Sequence, residues 1–286
     1  MANTIKNPDQ RVPKVLWINP VGYDAYDQPM ADFVKDIKRP EINVEFVSFD
    51  LSPAPVHLEY RTYEALVIGD IIRTTRYAAE NDFDAVVIGC FYDPALEAAR
   101  EISGQAVVVA PCQSSVQIAA NLCNKFSIIV GQHKWIEQMT ERVNAYGYAS
   151  RLASMRSIDI AVPDLQKDCR FTEEKIIEAG RKAIEEDHAE ALILGCTCTF
   201  GLYERVQKEL GVPVIDPICA AYKAAEYLAE LKQLFTWSNS RAWSMAAPPE
   251  EEIRTFGLFA DKHPIGNSVV IKASKPFPDA VFNGLS

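Results

Sequence analysis

Two of the seven cysteines in this 286-residue chain follow a glycine at the end of an apolar run. Ala85-Val86-Val87-Ile88 leads into Gly89-Cys90, and Ala191-Leu192-Ile193-Leu194 leads into Gly195-Cys196. Glycine permits a tight turn and close backbone approach. The carboxyl end of a buried parallel strand is the usual ligand side of an open α/β sheet. Each thiol lies just ahead of an expected helix, whose free N–H groups favour a thiolate. Two sulfurs facing one small molecule from opposite sides suit one reaction class. One removes the proton on a carbon beside a carbonyl, the other returns a proton to the opposite face, and hydrogen-bond donors hold the enolate oxygen. Inversion of a stereocentre follows. Cys90 and Cys196 are therefore the candidate catalytic pair, while Cys123, Cys169 and Cys219 read as packing residues. Cys112 and Cys198 fit either role.

The elements that must position this pair form an internal repeat. A shift of 106 residues lays 83–90 over 189–196 and pairs Leu96 with Leu202, Val108 with Val214 and Pro111 with Pro217. Buried strands are expected at 15–18, 43–49, 84–88 and 106–110, and again at 126–130, 154–158, 191–194 and 214–215. Helices are expected at 57–80 (stripe Leu58, Ala65, Ile68, Ile72, Ala79), 94–102, 113–122, 135–146, 172–187 (Thr172 as N-cap), 202–210 and 219–234. Strands separated by helices imply parallel sheets built by right-handed crossovers. The expected fold is α/β, with two similar parallel-sheet lobes related by pseudo-twofold symmetry and an active cleft between them. Residues 12–112 plus 219–235 make the first lobe and 113–218 the second. Residues 236–286 read as an irregular extension packed on the body or on a neighbouring subunit, with one short strand at 268–271.

Lys plus Arg is 29 and Asp plus Glu is 39, a net charge of −10. With no basic run, nucleic acid is not an expected partner. No apolar run approaches the roughly 20 residues that span a bilayer. The polar start shows no signal segment, and the cysteine count is odd, so a cytoplasmic chain with reduced thiols and no membrane partner is expected. Cys196-x-Cys198 is too short for the common zinc hook, and the four histidines form no ligand pattern. Glycine-rich nucleotide loops and the Gly-x-Ser-x-Gly elbow are absent, so neither metal nor cofactor is expected.

Several segments together resemble the aspartate/glutamate racemase superfamily, and within it most closely the hydantoin (allantoin) racemase family. They are Val15-Leu16-Trp17-Ile18-Asn19-Pro20, Cys90-Phe91-Tyr92-Asp93-Pro94, Phe126-Ser127-Ile128-Ile129-Val130, and Leu194-Gly195-Cys196 with Gly211-Val212-Pro213-Val214-Ile215-Asp216. The resemblance covers about residues 13–235. It implies a cofactor-independent two-cysteine racemase or epimerase, with Cys90 and Cys196 as its acid–base pair, that forms a dimer or higher homo-oligomer. It also implies substrate contacts from Asn19, Phe91, Thr197 and the segment Cys112-Gln113-Ser114. An aromatic wall at Phe91 and Tyr92 would suit an apolar 5-substituent on a hydantoin. Pro111-Cys112-Gln113-Ser114-Ser115 stands where the family usually shows Gly-Glu-Ala, which leaves the substrate open. The alternatives are cis–trans isomerisation of a maleate-like diacid, decarboxylation of a malonate by cysteine chemistry, and a non-catalytic metabolite-binding module.

Overall fold

The computed structural model describes residues 11–50, 54–259 and 263–277, and among these the strands form two sheets. The first sheet grows from β1 (Lys14–Asn19), α1 (Asp27–Ile37), β2 (Asn43–Phe49), α2 (Arg61–Glu80), β3 (Ala85–Ile88), α3 (Leu96–Ile102) and β4 (Val107–Val109). The second follows α4 (Pro111–Leu122) and comprises β5 (Phe126–Val130), α5 (Ile136–Ala145), β6 (Leu152–Ser157), α6 (Cys169–Glu185), β7 (Ala191–Leu194), α7 (Tyr203–Leu210) and β8 (Val214–Ile215). The chain continues through α8 (Pro217–Phe235), α9 (Glu250–Thr255) and β9 (Ile265–Ile271). The strand orders β4-β3-β1-β2 and β8-β7-β5-β6 match position for position, and all these pairs are parallel. The chain is thus α/β with two sheet-bearing lobes.

The strands that carry the glycine–cysteine pairs are buried along their whole length, as expected of parallel strands covered on both faces. Trp17 and Phe46, partners in the β1–β2 ladder, stack at 5.5 Å. Helix α8 packs back onto β3 and β4. Its C-terminal half is tied there by Asp84, a fully buried carboxylate that accepts from Arg11, the Lys14 amide, Lys232 and Gln233. Among the described residues no helix is long and apolar enough to cross a membrane.

Apart from shifts of one or two residues at element ends, the structure departs from the sequence reading in the following ways. Helix α1 was not foreseen; its buried face is Asp27, Met30, Ala31 and Val34, and the acid in it breaks the apolar pattern. Helix α2 starts at Arg61 rather than 57, and its buried stripe is Glu64, Val67, Ile71, Thr74, Thr75 and Ala78. Partnered polar groups hold several of those inner positions: Glu64 accepts from Gln138, and Thr75 donates to Ile71 O. An apolar-only stripe is therefore rotated by one residue. Helix α3 begins two residues late because Ala95 takes a left-handed φ of +57°. Helix α6 is capped by Asp168, which accepts from the Phe171 amide at 3.0 Å, while Thr172 is buried and donates to Leu165 O. The segment after 235, expected to be irregular apart from a short strand at 268–271, carries the helix α9 as well, and the expected strand is there as the longer β9, which pairs antiparallel with β2.

A Cβ on Gly89 would overlap Trp17 Nε1 and lie 2.7 Å from the Ile18 carbonyl oxygen, which belongs to a buried strand. Gly89→Ala is expected to destabilise the protein by about 1–3 kcal/mol. Gly69→Ala, where only the flexible Arg73 side chain is near, is expected to stabilise α2 by about 0.5–1 kcal/mol. Urea unfolding of both variants checks the pair of signs.

Candidate active site

Each cysteine is placed by the same local device. Gly89 donates its amide to Ile18 O and Gly195 donates its amide to Ile129 O, both at 2.8 Å, so each turn is pinned to the neighbouring strand. The Tyr92 amide reaches the sulfur of Cys90, and the Cys198 amide reaches the sulfur of Cys196. After Cys90 the backbone turns sharply, with Asp93 and Ala95 both at positive φ. For non-glycine residues such conformations persist only where the surroundings over-determine them. Here the determinant is the Asp93 carboxylate. Fully buried, it accepts from the Cys112 and Gln113 amides at 2.8 Å each, at the start of α4, and from the Tyr146 hydroxyl at 2.7 Å.

Asp216 does the same for α8, accepting from the Ile218 amide at 2.8 Å and the Cys219 amide at 3.1 Å, and also from Gly201 in the loop after Cys196. The capped amides 112–113 and 218–219 are again 106 residues apart. A carboxylate at a helix N-terminus satisfies orphan donors and meets the positive end of the dipole. Burial nevertheless pushes Asp93 up to about 7 and Asp216 up to about 6, against the pull of those hydrogen bonds.

Both cysteine turns open on one pocket with about 550 Å³ of empty space, its mouth included. Asn19, Val21, Cys90, Phe91 and Tyr92 line it from the ends of the first sheet, and Cys196, Thr197 and Cys198 from the end of β7. Trp135, Met139 and Val162 add an apolar wall, and the segment Val56-His57-Leu58-Glu59 borders it from the loop before α2. Thr197 Oγ1 donates to Gly89 O at 3.2 Å and so links one cysteine turn directly to the other. The Glu59 carboxylate accepts from the Val162 amide at 3.1 Å, and the Glu59 backbone N–H donates to His57 Nδ1 at 3.4 Å, which brings that imidazole within 3.3 Å of the carboxylate.

Burial raises the Cys90 thiol well above its ordinary range. Cys196 is raised by its hydrogen bond with Cys198 and then by burial. Both are therefore neutral thiols near pH 7, contrary to the expectation of helix-stabilised thiolates. The reason is geometric. Helix α3 does not begin until Leu96, and the element after Cys196 is a three-residue 3₁₀ turn, Thr197–Thr199. Neither offers a strong dipole, so burial prevails at Cys90, and the Cys198 hydrogen bond together with burial prevails at Cys196.

Of the residues named from sequence, Cys90, Cys196, Asn19, Phe91, Tyr92 and Thr197 meet at this pocket. Cys112, Gln113 and Ser114 do not. Cys112 is fully buried in the core, Ser114 is buried within α4, and the Gln113 side chain accepts from Arg100 at 2.6 Å. Their place is the first turn of α4, where the amides of Cys112 and Gln113 hold Asp93. Cys198 sits at the pocket, whereas Cys169, read as packing, is exposed. Sequence reasoning missed Tyr26, His57, Leu58, Glu59, Trp135, Met139 and Val162. The helix expected over 57–80 covers residues 57–59, although Pro53 and Pro55 just before them signal a loop. Among the described residues no group of three or more His, Cys, Asp or Glu is placed to hold a metal ion.

A family model described as Asp/Glu/Hydantoin racemase matches residues 15–225. The hydantoin racemase of Pseudomonas sp. (strain NS671) is 33% identical over 218 residues, covering 76% of this chain and 86% of its own. That of Paenarthrobacter aurescens is 30% identical over 240 residues, covering 84% and 99%. Among solved structures, allantoin racemase from Klebsiella pneumoniae superimposes with a TM-score of 0.75 at 27% identity, over 83% of this chain and 94% of that one. The class is thus that of racemase-type isomerases. The chain belongs to the Asp/Glu/hydantoin racemase family.

Raised thiols react slowly with alkylating agents, because the thiolate is the nucleophile. At pH 7, iodoacetamide is expected to label exposed Cys169 well before Cys90 or Cys196. Labelling of the latter two should accelerate as the pH is raised toward 10. Peptide mass spectrometry across the pH series reads all three sites.

Proposed function

We propose that the protein is a cofactor-independent racemase or epimerase of a small cyclic amide or ureide such as a 5-substituted hydantoin, with Cys90 and Cys196 as its acid–base pair. The observation that carries the reading is the single pocket onto which both cysteine turns open. In this reading residues 12–112 plus 219–235 and residues 113–218 are pseudo-twofold-related lobes with the active cleft between them. The matching strand orders and the repeated 106-residue shift support that relation.

The chemistry balances without an external acid. One cysteine, as thiolate, takes the proton from the ring stereocentre, and the electron pair moves onto the adjacent carbonyl oxygen as an enolate. The opposite thiol then delivers its proton to the other face. The product is the mirror-image centre, with thiol and thiolate exchanged. A buried thiolate is scarce but strongly basic, which narrows the gap to a weakly acidic C–H. The pocket lining favours a neutral ring over a diacid. Among the described residues its lining holds no Lys or Arg, and Glu59 and the neighbouring His57 are the carboxylate and imidazole at the site. A dicarboxylate would meet a like charge with no fixed cation to offset it. Phe91, Tyr92, Trp135 and Met139 suit an apolar 5-substituent.

In deuterated water, one enantiomer of 5-benzylhydantoin is expected to lose optical rotation while deuterium enters C5. Cys90→Ser and Cys196→Ser are each expected to lower kcat/KM by about 10²–10⁴-fold. Turnover of maleate, or carbon dioxide release from phenylmalonate, in place of hydantoin turnover would overturn the reading.

A further inference from the structure

The family match ends at residue 225, yet strand β9 reaches the pocket through a chain of hydrogen bonds. Asn19 lines the pocket, and its side-chain amide donates to Asp27 Oδ1 at 3.1 Å and to Tyr23 O at 3.4 Å. Asp27 is fully buried in the first turn of α1. Its other oxygen accepts from Ser48 Oγ at 2.7 Å and from Asn267 Nδ2 at 2.9 Å. Ser48 and Asn267 are direct cross-strand partners in the β2–β9 ladder, so two strands aim donors at one oxygen.

The register is set by an irregularity between Ser48 and Phe49, where β9 fits Gly266 between the partners of those two residues. A Cβ on Gly266 would lie 2.7–2.8 Å from Asp50 backbone atoms. Along β9 exposure alternates, with Asn267 on the same side as Val269 and Ile271. It is thus a polar residue in an apolar stripe, and Asp27 is what it meets.

An ionised carboxylate only accepts hydrogen bonds. A carboxylate at Asp27 therefore forces Asn19 to turn its NH₂ inward. Among the described residues no donor is found for Asn19 Oδ1, and Asn19 lines the pocket, so this oxygen is the group it can present there. We propose that Asn267 is a positioning residue: through Asp27 it locks the Asn19 amide with its carbonyl oxygen toward the pocket, where it accepts a substrate N–H. The extension beyond the family match is then a specificity element. Burial pushes the Asp27 carboxyl up, and the donors Asn267, Ser48 and Asn19 pull it back. Without Asn267 a protonated Asp27 becomes a donor itself, and the Asn19 amide is free to flip.

The kinetic part of this inference rests on the racemase reading, so the test has two independent readouts. The first is exchange of the Asn19 side-chain amide protons, followed by ¹⁵N NMR and assigned with Asn19→Ser. Protection is expected in the native chain and its loss in Asn267→Leu. The second is kinetics with 5-benzylhydantoin and its N1-methyl and N3-methyl derivatives. Asn267→Leu is expected to raise KM about tenfold with kcat within about threefold, and to weaken discrimination against one methylated ring. Ser48→Ala, which removes the other donor to the same oxygen, should move both readouts in the same direction and serves if Asn267→Leu does not fold. Ser268→Ala, next along β9 and bonded instead to Glu45, should move neither. Unchanged Asn19 protection in Asn267→Leu, an unchanged KM, or an equal effect from Ser268→Ala would overturn the proposal. If the native chain turns over no hydantoin, the racemase reading fails and amide exchange alone decides the relay.

Discussion

Two buried carboxylates, Asp93 and Asp216, each take the first free amides of a helix and in doing so hold the loop that follows a cysteine. Helix N-termini leave several N–H groups without partners, and burying them unsatisfied is costly. Asp93 answers that need for α4 from a loop in which Asp93 and Ala95 lie in left-handed backbone. The two support each other: the helix amides hold the strained loop, and the loop's acid satisfies the helix start. Fixing the two together leaves the sulfur of Cys90 at the pocket instead of in the core, and Asp216 holds the Cys196 loop through Gly201.

The pocket is built from groups that resist charge. Its walls are largely apolar, both thiols are raised, and the one carboxylate among its described lining residues accepts from an amide beside an imidazole. Such surroundings make a thiolate hard to form and correspondingly reactive as a base toward carbon. They also give weight to the backbone amides that oppose the rise of the thiols. The amides of Tyr92 and Cys198 at the two sulfurs are fixed dipoles that need no reorganisation when charge develops. The link from Thr197 to Gly89 keeps the two turns in register with each other.

The parallel strands were legible because apolar runs bounded by glycine and proline carry a strong local signal. So was the 106-residue repeat, which rests on residue identity alone. Helix faces were less legible. In α2 the inner face includes Glu64, Thr74 and Thr75, and such positions read as outward in a one-dimensional pattern. The family resemblance implies substrate contacts from Cys112, Gln113 and Ser114. Their amides and side chains are instead consumed by Asp93, Arg100 and the core.

What the sequence alone determined was the α/β class, the position of each Gly-Cys at a strand end, and the likeness between the two halves. These follow from local periodicity and from the steric freedom of glycine, which act over a few residues. What only the tertiary structure decided was the protonation state of the thiols, the border made by 57–59, and the seat of β9 against β2 and Asp27. Desolvation and long-range hydrogen bonds depend on which distant groups share a small volume. Asn267 and Asp27, 240 positions apart, meet only when the chain has folded.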